Sequence, residues 1–412
     1  MRGIEMHVLA LLRRCPVALV LVALSARADE PARPPVEVLG IRGPSAARYH
    51  VAGEYFARLA DPPFARIHGA AWSPDGRRWV LWGSDASPAD ASADLVTHRR
   101  SEPQRVVFGG ERMGGRQVSL RHPDVPGWQL ERIALARWDG PGSAVLMVCR
   151  SVSQPPARLS LGPQSLCLLL DAQGRLLAHA DVSGLIVSAA SSPDGRSWVL
   201  VRQSGHGTAL LRWQPPGDPE TLAWDLPTPE ASCRVAEIAE VAWHPSDEKV
   251  LAVAYRLALS DSAWAIATLG SDGSGGRFAV RGQTSVRDVR WSPDGEYLSW
   301  ISPSERRYTY HKLELTVRYE VLWRALPGYE PQPVFDLVHQ TRFLRPEELT
   351  ALDFLPTIES YSWSEGGIYM VSACAGPLLL PKKALWWVPT RKNPLLVFED
   401  PSWRGPICAR KE

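Results

Sequence analysis

The chain has 412 residues, with 46 Lys plus Arg against 44 Asp plus Glu and a formal net charge of +2. No basic run with interleaved aromatics occurs, so the sequence carries no nucleic-acid footprint. Its 32 Gly, 36 Pro and 17 Trp, without any long amphipathic helical pattern, describe many short strands joined by turns and exclude an all-helical protein.

The first element is a leader. Arg13 and Arg14 precede an apolar segment at residues 17–24, followed by Ala26, Arg27 and Ala28, a small-x-small cleavage site before Asp29. The expected organisation is a signal peptide over residues 1–28, a Pro-rich spacer over 29–36 and one domain over 37–412. The apolar segment is short for a bilayer span, so no stable membrane span is expected after cleavage; retention as an anchor is the alternative. Cleavage removes Cys15 and leaves Cys149, Cys167, Cys233, Cys374 and Cys408, an odd set in an oxidising compartment. Cys149 closes one apolar stretch and Cys167 begins the next, so they can face one another across a hairpin; scattered buried thiols are the other reading.

From residue 70 onward a frame repeats. Ser-Pro-Asp-Gly stands at residues 73–76, 192–195 and 292–295, the first and third copies following Trp72 and Trp291. Degenerate copies follow Trp138, Trp243 and Trp363, and anchoring each unit at the Trp gives positions 72, 138, 191, 243, 291 and 363, with Ser191 in place of Trp. Five residues before each anchor stand Ile67, Ile133, Ile186, Ile238, Val286 and Ile358, all β-branched. A short apolar run without alternation follows each turn, the pattern of a strand buried on both faces. Pro74, Pro193 and Pro293 set φ for the turn, Asp75, Asp194 and Asp294 bond local backbone, and Gly76, Gly195 and Gly295 take positive φ. These residues read as a structural hairpin, with Trp72 and Trp291 packed between units. Residues 54–60 and 344–352 are expected to form short helices.

A strand–turn–strand unit at a spacing of 48 to 72 residues is the signature of a β-propeller. The Trp-Ser-Pro-Asp-Gly repeat resembles that of the TolB-like superfamily over about residues 64–400. That resemblance implies an all-β fold of six four-stranded antiparallel blades around a channel. Too few residues precede the first unit for the amino-terminal α/β domain of TolB proper. Six units predict six blades, the ring closed by residues 36–39 completing a blade that contains residues 385–388 and 395–398.

No chemistry-bearing motif stands out. The Gly-x-Ser-x-Gly elbow of propeller-linked serine peptidases is missing, and residues 204–207 (Ser-Gly-His-Gly) read as a turn. Positions just before the anchors hold His68, Glu240, Arg287, Asp288 and Glu359, a candidate binding set at the channel mouth. Two extra-long segments, residues 83–130 and 303–357, follow the first and fifth units. The second carries Arg306, Arg307, Tyr308, Tyr310, His311, Tyr319, Trp323 and Tyr329, which serve either as outer strands of a blade or as a binding surface. The expected function is a periplasmic or secreted, non-catalytic, protein- or ligand-binding scaffold without cofactor, its partner another envelope or secreted protein. The alternative is a divalent-cation-dependent hydrolase or lyase using His68, Glu240, Asp288 and Glu359 in the channel.

Overall fold

The computed structural model describes residues 36–60, 62, 64–85, 105–111, 113–125, 130–151, 164–230, 233–258, 264–310, 313–336, 357–364, 366–373, 383–389, 395–400 and 402–411. The expected leader, nearly all of the expected spacer, Cys374, His311 and the expected helix at 344–352 lie outside the described residues.

The first described elements are β1 (Val36–Arg42), β2 (Ser45–His50) and β3 (Tyr55–Ala60). Six complete four-stranded blades come next. Blade I comprises β4 (Arg66–Trp72), β5 (Arg78–Ser84), β6 (Arg105–Gly110) and β7 (Met113–Val118). Blade II is β8 (Leu130–Trp138), β9 (Ala144–Ser151), β10 (Gln164–Asp171) and β11 (Leu176–Ser183). Blade III is β12 (Leu185–Ser191), β13 (Trp198–Ser204), β14 (Gly207–Trp213) and β15 (Glu220–Leu222). Blade IV is β16 (Val235–Trp243), β17 (Val250–Leu257), β18 (Trp264–Gly270) and β19 (Arg277–Gln283). Blade V is β20 (Arg287–Trp291), β21 (Leu298–Tyr310), β22 (Leu313–Ala325) and β23 (Gln332–Asp336). Blade VI is β24 (Thr357–Ser364), β25 (Gly367–Ala373), β26 (Lys383–Pro389) and β27 (Leu395–Glu399). The last strand, β28 (Trp403–Lys411), pairs antiparallel with β1 and completes blade VII in the order β28-β1-β2-β3.

The propeller therefore has seven blades of four antiparallel strands, not six. The repeated turn joins the innermost strand of a blade to its second strand. In blade VII that connection does not exist, because the innermost strand, β28, is the last described strand and its second strand, β1, is the first. Counting turns misses one blade wherever a ring is closed this way. Residues 385–388 and 395–398 belong to blade VI, which needs no strand from the amino end. Residues 55–60 form β3, the outer strand of blade VII, rather than a helix.

The core is distributed. Seven hydrophobic clusters fill the seven spaces between neighbouring blades, including VI against VII and VII against I. Second strands are buried on both faces, as in Trp198, Val199, Leu200 and Val201, all fully inaccessible. The six β-branched residues ahead of the anchors are all at most 6% exposed. Cys149 and Cys167 lie on adjacent strands, but Cys149 pairs with Leu166 and Cys167 with Val148. They point into different interfaces, I–II and II–III, and remain free thiols. Burial pushes the Cys167 thiol up to about 12.

Candidate functional site

All seven innermost strands line one central cavity of about 470 Å³. Each of the six complete blades has a register irregularity in its innermost strand, shortly after the buried β-branched residue: between Ile67 and Gly69, Ile133 and Leu135, Ile186 and Ser188, Ile238 and Glu240, Arg287 and Arg290, and Ile358 and Ser360. A β-bulge inserts an extra residue and re-aims the side chains beyond it. Past the bulge, the residue just before each anchor faces the bore. That row reads Ala71, Arg137, Ala190, Ala242, Arg290 and Ser362, all lining the cavity. Four small side chains keep the bore open and two arginines enter it.

The candidate mouth residues separate on this frame. Glu240 and Asp288 line the cavity; His68, Arg287 and Glu359 do not. His68 Nε2 lies 2.8 Å from Ser84 Oγ. Glu359 pairs with Lys383 at 2.6 Å. Arg287 donates to both oxygens of Glu320, at 3.1 and 2.6 Å, and to the Ile358 carbonyl at 2.6 Å. Among the described residues no group of three or more His, Cys, Asp or Glu is gathered closely enough to hold a metal ion. His68 and Glu359 are themselves the inserted bulge residues, so strict alternation back from the Trp places them on the wrong side.

Inside the bore the carboxylates have fixed duties. Glu240 accepts the backbone N–H groups of Asp288 at 2.7 Å and Val289 at 2.6 Å. Those bonds hold Asp288 at φ 56°, a left-handed conformation uncommon for a non-glycine residue and a mark of imposed local geometry. Burial pushes the Glu240 carboxyl up, partly offset by those two donors. Asp288 in turn receives Arg290 in a bidentate pair at 2.8 and 3.0 Å. Arg290 also donates to the Tyr361 carbonyl and lies 4.7 Å over the Tyr361 ring. The Tyr361 hydroxyl, fully buried, contacts the Asp288 and Ser299 carbonyls. Sequence reasoning missed Arg137, Arg290 and Tyr361. Aligning the six frames one residue before the anchor would have exposed both arginines against a background of small residues.

At the turn-side mouth stand Trp72, Trp138, Trp243, Trp291 and Trp363. Three of their indole N–H groups reach the preceding blade's innermost strand: Trp72 to Pro406 O at 2.9 Å, Trp138 to Ala71 O at 3.0 Å and Trp291 to Ala242 O at 3.3 Å. The Trp243 N–H instead bonds Glu248 O in its own turn, and Trp363 bonds Ser299 Oγ. In the turns themselves the Ser hydroxyls at 73, 192 and 292 donate to Asp75, Asp194 and Asp294. Each Asp also accepts the amide two residues on, at 3.0 Å. The serine hydroxyl and that amide hold the Asp194 and Asp294 carboxyls below the usual range.

The long hairpin β21–β22 stands out from blade V. Each strand has 13 residues. β20 pairs with β21 only as far as Ile301, and β23 pairs with β22 only from Val321. Beyond them, the eight residue steps to Tyr310 carry the two-stranded ribbon roughly 25 Å further. Apolar pairs Tyr308↔Leu315 and Tyr310↔Leu313 alternate with polar pairs Arg307↔Thr316 and Thr309↔Glu314. Tyr319 at the root is 7% exposed, whereas Tyr329, in the turn before β23, is 70% exposed.

No protein-family model matches this chain, and no curated protein matches it in sequence. Among solved structures, it is similar to acylaminoacyl peptidase of Pyrococcus horikoshii (TM-score 0.52, 8% identity, covering 86% of this chain and 48% of that one). The chain thus spans about half the length of that peptidase. The β-propeller domain of the Trilobed protease from Pyrococcus furiosus matches at TM-score 0.50 and 8% identity, over 89% of this chain and 95% of that one. That propeller has an open velcro topology; here β28 and β1 pair and close the ring. A putative TolB from Agrobacterium tumefaciens matches at TM-score 0.39 and 16% identity, over 68% of this chain and 85% of that one. At such identities the likeness is one of fold alone.

Proposed function

We propose that this chain is an exported, non-catalytic, TolB-like β-propeller that binds another envelope or secreted protein or a ligand. The observation that carries this reading is the state of the channel carboxylates. Glu240 and Asp288 are neighbours, but Glu240 is occupied by two backbone amides and Asp288 by a bidentate arginine, so each carboxylate is engaged in holding the scaffold together. The projecting β21–β22 hairpin supplies the kind of extension from a rigid scaffold on which binding tends to sit.

The hairpin offers the test. Ser304 and Tyr319 are paired across its root, so residues 305–318 can be replaced by Asn-Gly, a two-residue turn suited to a hairpin. The shortened protein is expected to melt within a few degrees of the wild type while losing partners cross-linked to wild-type protein in the native envelope fraction. Unchanged cross-linking would remove the hairpin from the binding surface. Export is tested separately: amino-terminal sequencing of protein from its native host is expected to begin near Asp29, and a full-length cytosolic species would overturn that part of the proposal.

A further inference from the structure

Among the described residues, one arginine lining the bore has no ion-pair partner, the carboxylates of Asp288 and Glu240 acting on it only through space. Arg290, the other arginine in the bore, is held by Asp288, and outside the cavity lining Arg287 is held by Glu320 and Arg410 by Glu37 and Glu111. Arg137 lines the cavity and is exposed to it. Its one hydrogen bond among the described residues is a 3.4 Å contact from Nη1 to the carbonyl of its own neighbour, Ala136. A guanidinium has five N–H donors in a fork that fits a carboxylate, and no carboxylate lies within ion-pair reach of this one among the described residues. Around it the side chains are small, and beyond them the partly exposed Trp72, Trp291 and Trp363, with the edges of the buried Trp138 and Trp243, form an apolar collar whose indole N–H groups are all already bonded.

We propose that the central channel binds a carboxylate carried on an apolar body, with Arg137 as its anchor. This inference rests on the reading of the molecule as a binding scaffold and names the chemistry that its channel recognises. The carboxylate docks in the Arg137 fork and the apolar body lies against the tryptophan collar. A monoanion fits better than a phosphate dianion, because among the described residues one guanidinium in the cavity lacks an ion pair and Glu240 and Asp288 stand beside it in the same cavity. A cavity of about 470 Å³ is in the range that holds a small ligand or the end of a chain. Two sources share this chemistry: the free carboxyl terminus of a peptide and a medium-chain fatty acid.

The test is calorimetric titration of the purified mature chain with the peptide Ac-Ala-Leu-Phe-OH, its carboxamide, decanoate and decanol. Saturable binding of an acid, but not of its neutral counterpart, is expected; the peptide and fatty-acid arms identify the source. Arg137→Gln should weaken that binding about ten- to hundredfold, the loss of a charge-assisted pair, with the melting temperature of the free protein unchanged. Arg137→Lys should recover part of it and serves as the folded control if the Gln variant misfolds. Failure of wild-type protein to bind either acid at millimolar concentration, or equal binding by Arg137→Gln, overturns the proposal. Mass analysis of the probes after incubation separates the two readings. Arg137-dependent binding with conversion of the probe keeps the site and sinks the scaffold; no binding, with hairpin-dependent cross-linking intact, sinks only the site.

Discussion

Glu37→Ala is expected to destabilise the closed ring by about 3–5 kcal/mol, the usual cost of removing one partner from a buried ion pair. Glu37 is 5% exposed on β1 and sits opposite Arg410 on β28 in the inter-strand seam that joins the two ends of the chain. Its carboxylate receives Arg410 through Nε at 2.8 Å and through Nη2, Arg48 at 3.3 Å and His50 Nδ1 at 3.1 Å. Arg410 also reaches Glu111 and the Gly76 carbonyl at 3.1 Å, tying blade VII to blade I. Alanine at position 37 leaves Arg410 and Arg48 in a partly desolvated site with one carboxylate fewer. Chemical denaturation gives the magnitude, and limited proteolysis should show residues 403–411 released early. A double-mutant cycle with Arg410→Ala is expected to be strongly non-additive. A loss below about 1 kcal/mol would mean that the pair behaves like a surface salt bridge.

The legible part of the sequence is the part that repeats. Burial of residue 67 and its five counterparts was legible because a packing requirement recurs in every complete blade. The seventh blade was hidden because it lacks the inner turn, the one element that carries the motif. The bore was only partly legible. Glu240 and Asp288 were picked out, but the bulge broke the alternation that placed His68 and Glu359 beside them. Pairing of Arg290 with Asp288 across two positions of one strand, and of Glu240 with the amides of the next blade, depends on a left-handed residue that no pattern announced. That Arg137 has no ion-pair partner among the described residues is a negative property, set by what surrounds it in space, and no single chain position encodes it.

Trp138→Ala is expected to cost about 3–5 kcal/mol, the range for deleting a large buried aromatic. The ring is 8% exposed, belongs to the cluster between blades I and II, and its N–H bonds Ala71 O at 3.0 Å. Truncation leaves both a cavity and an unpaired carbonyl at one blade interface. Gly295→Val should come next. Gly295 has φ +76°, where a β-branched residue is strained, and a Cβ there would lie 2.2 Å from His244 Nε2. Gly76→Val, at φ +66°, would place its Cβ 2.7 Å from Cδ of Arg410, which Glu37 and Glu111 hold in place, and should cost a similar amount. Asp194→Asn should cost less than about 1 kcal/mol, because an amide oxygen can still accept from Ser192 and from the Arg196 amide. Thermal melts of the four variants give the order. If the turn aspartates instead recognise a ligand, the order inverts in function: Asp194→Asn would abolish binding with its melting temperature intact, and Trp138→Ala would lose binding only in step with folding. The bonds each aspartate makes within its own turn favour the structural order.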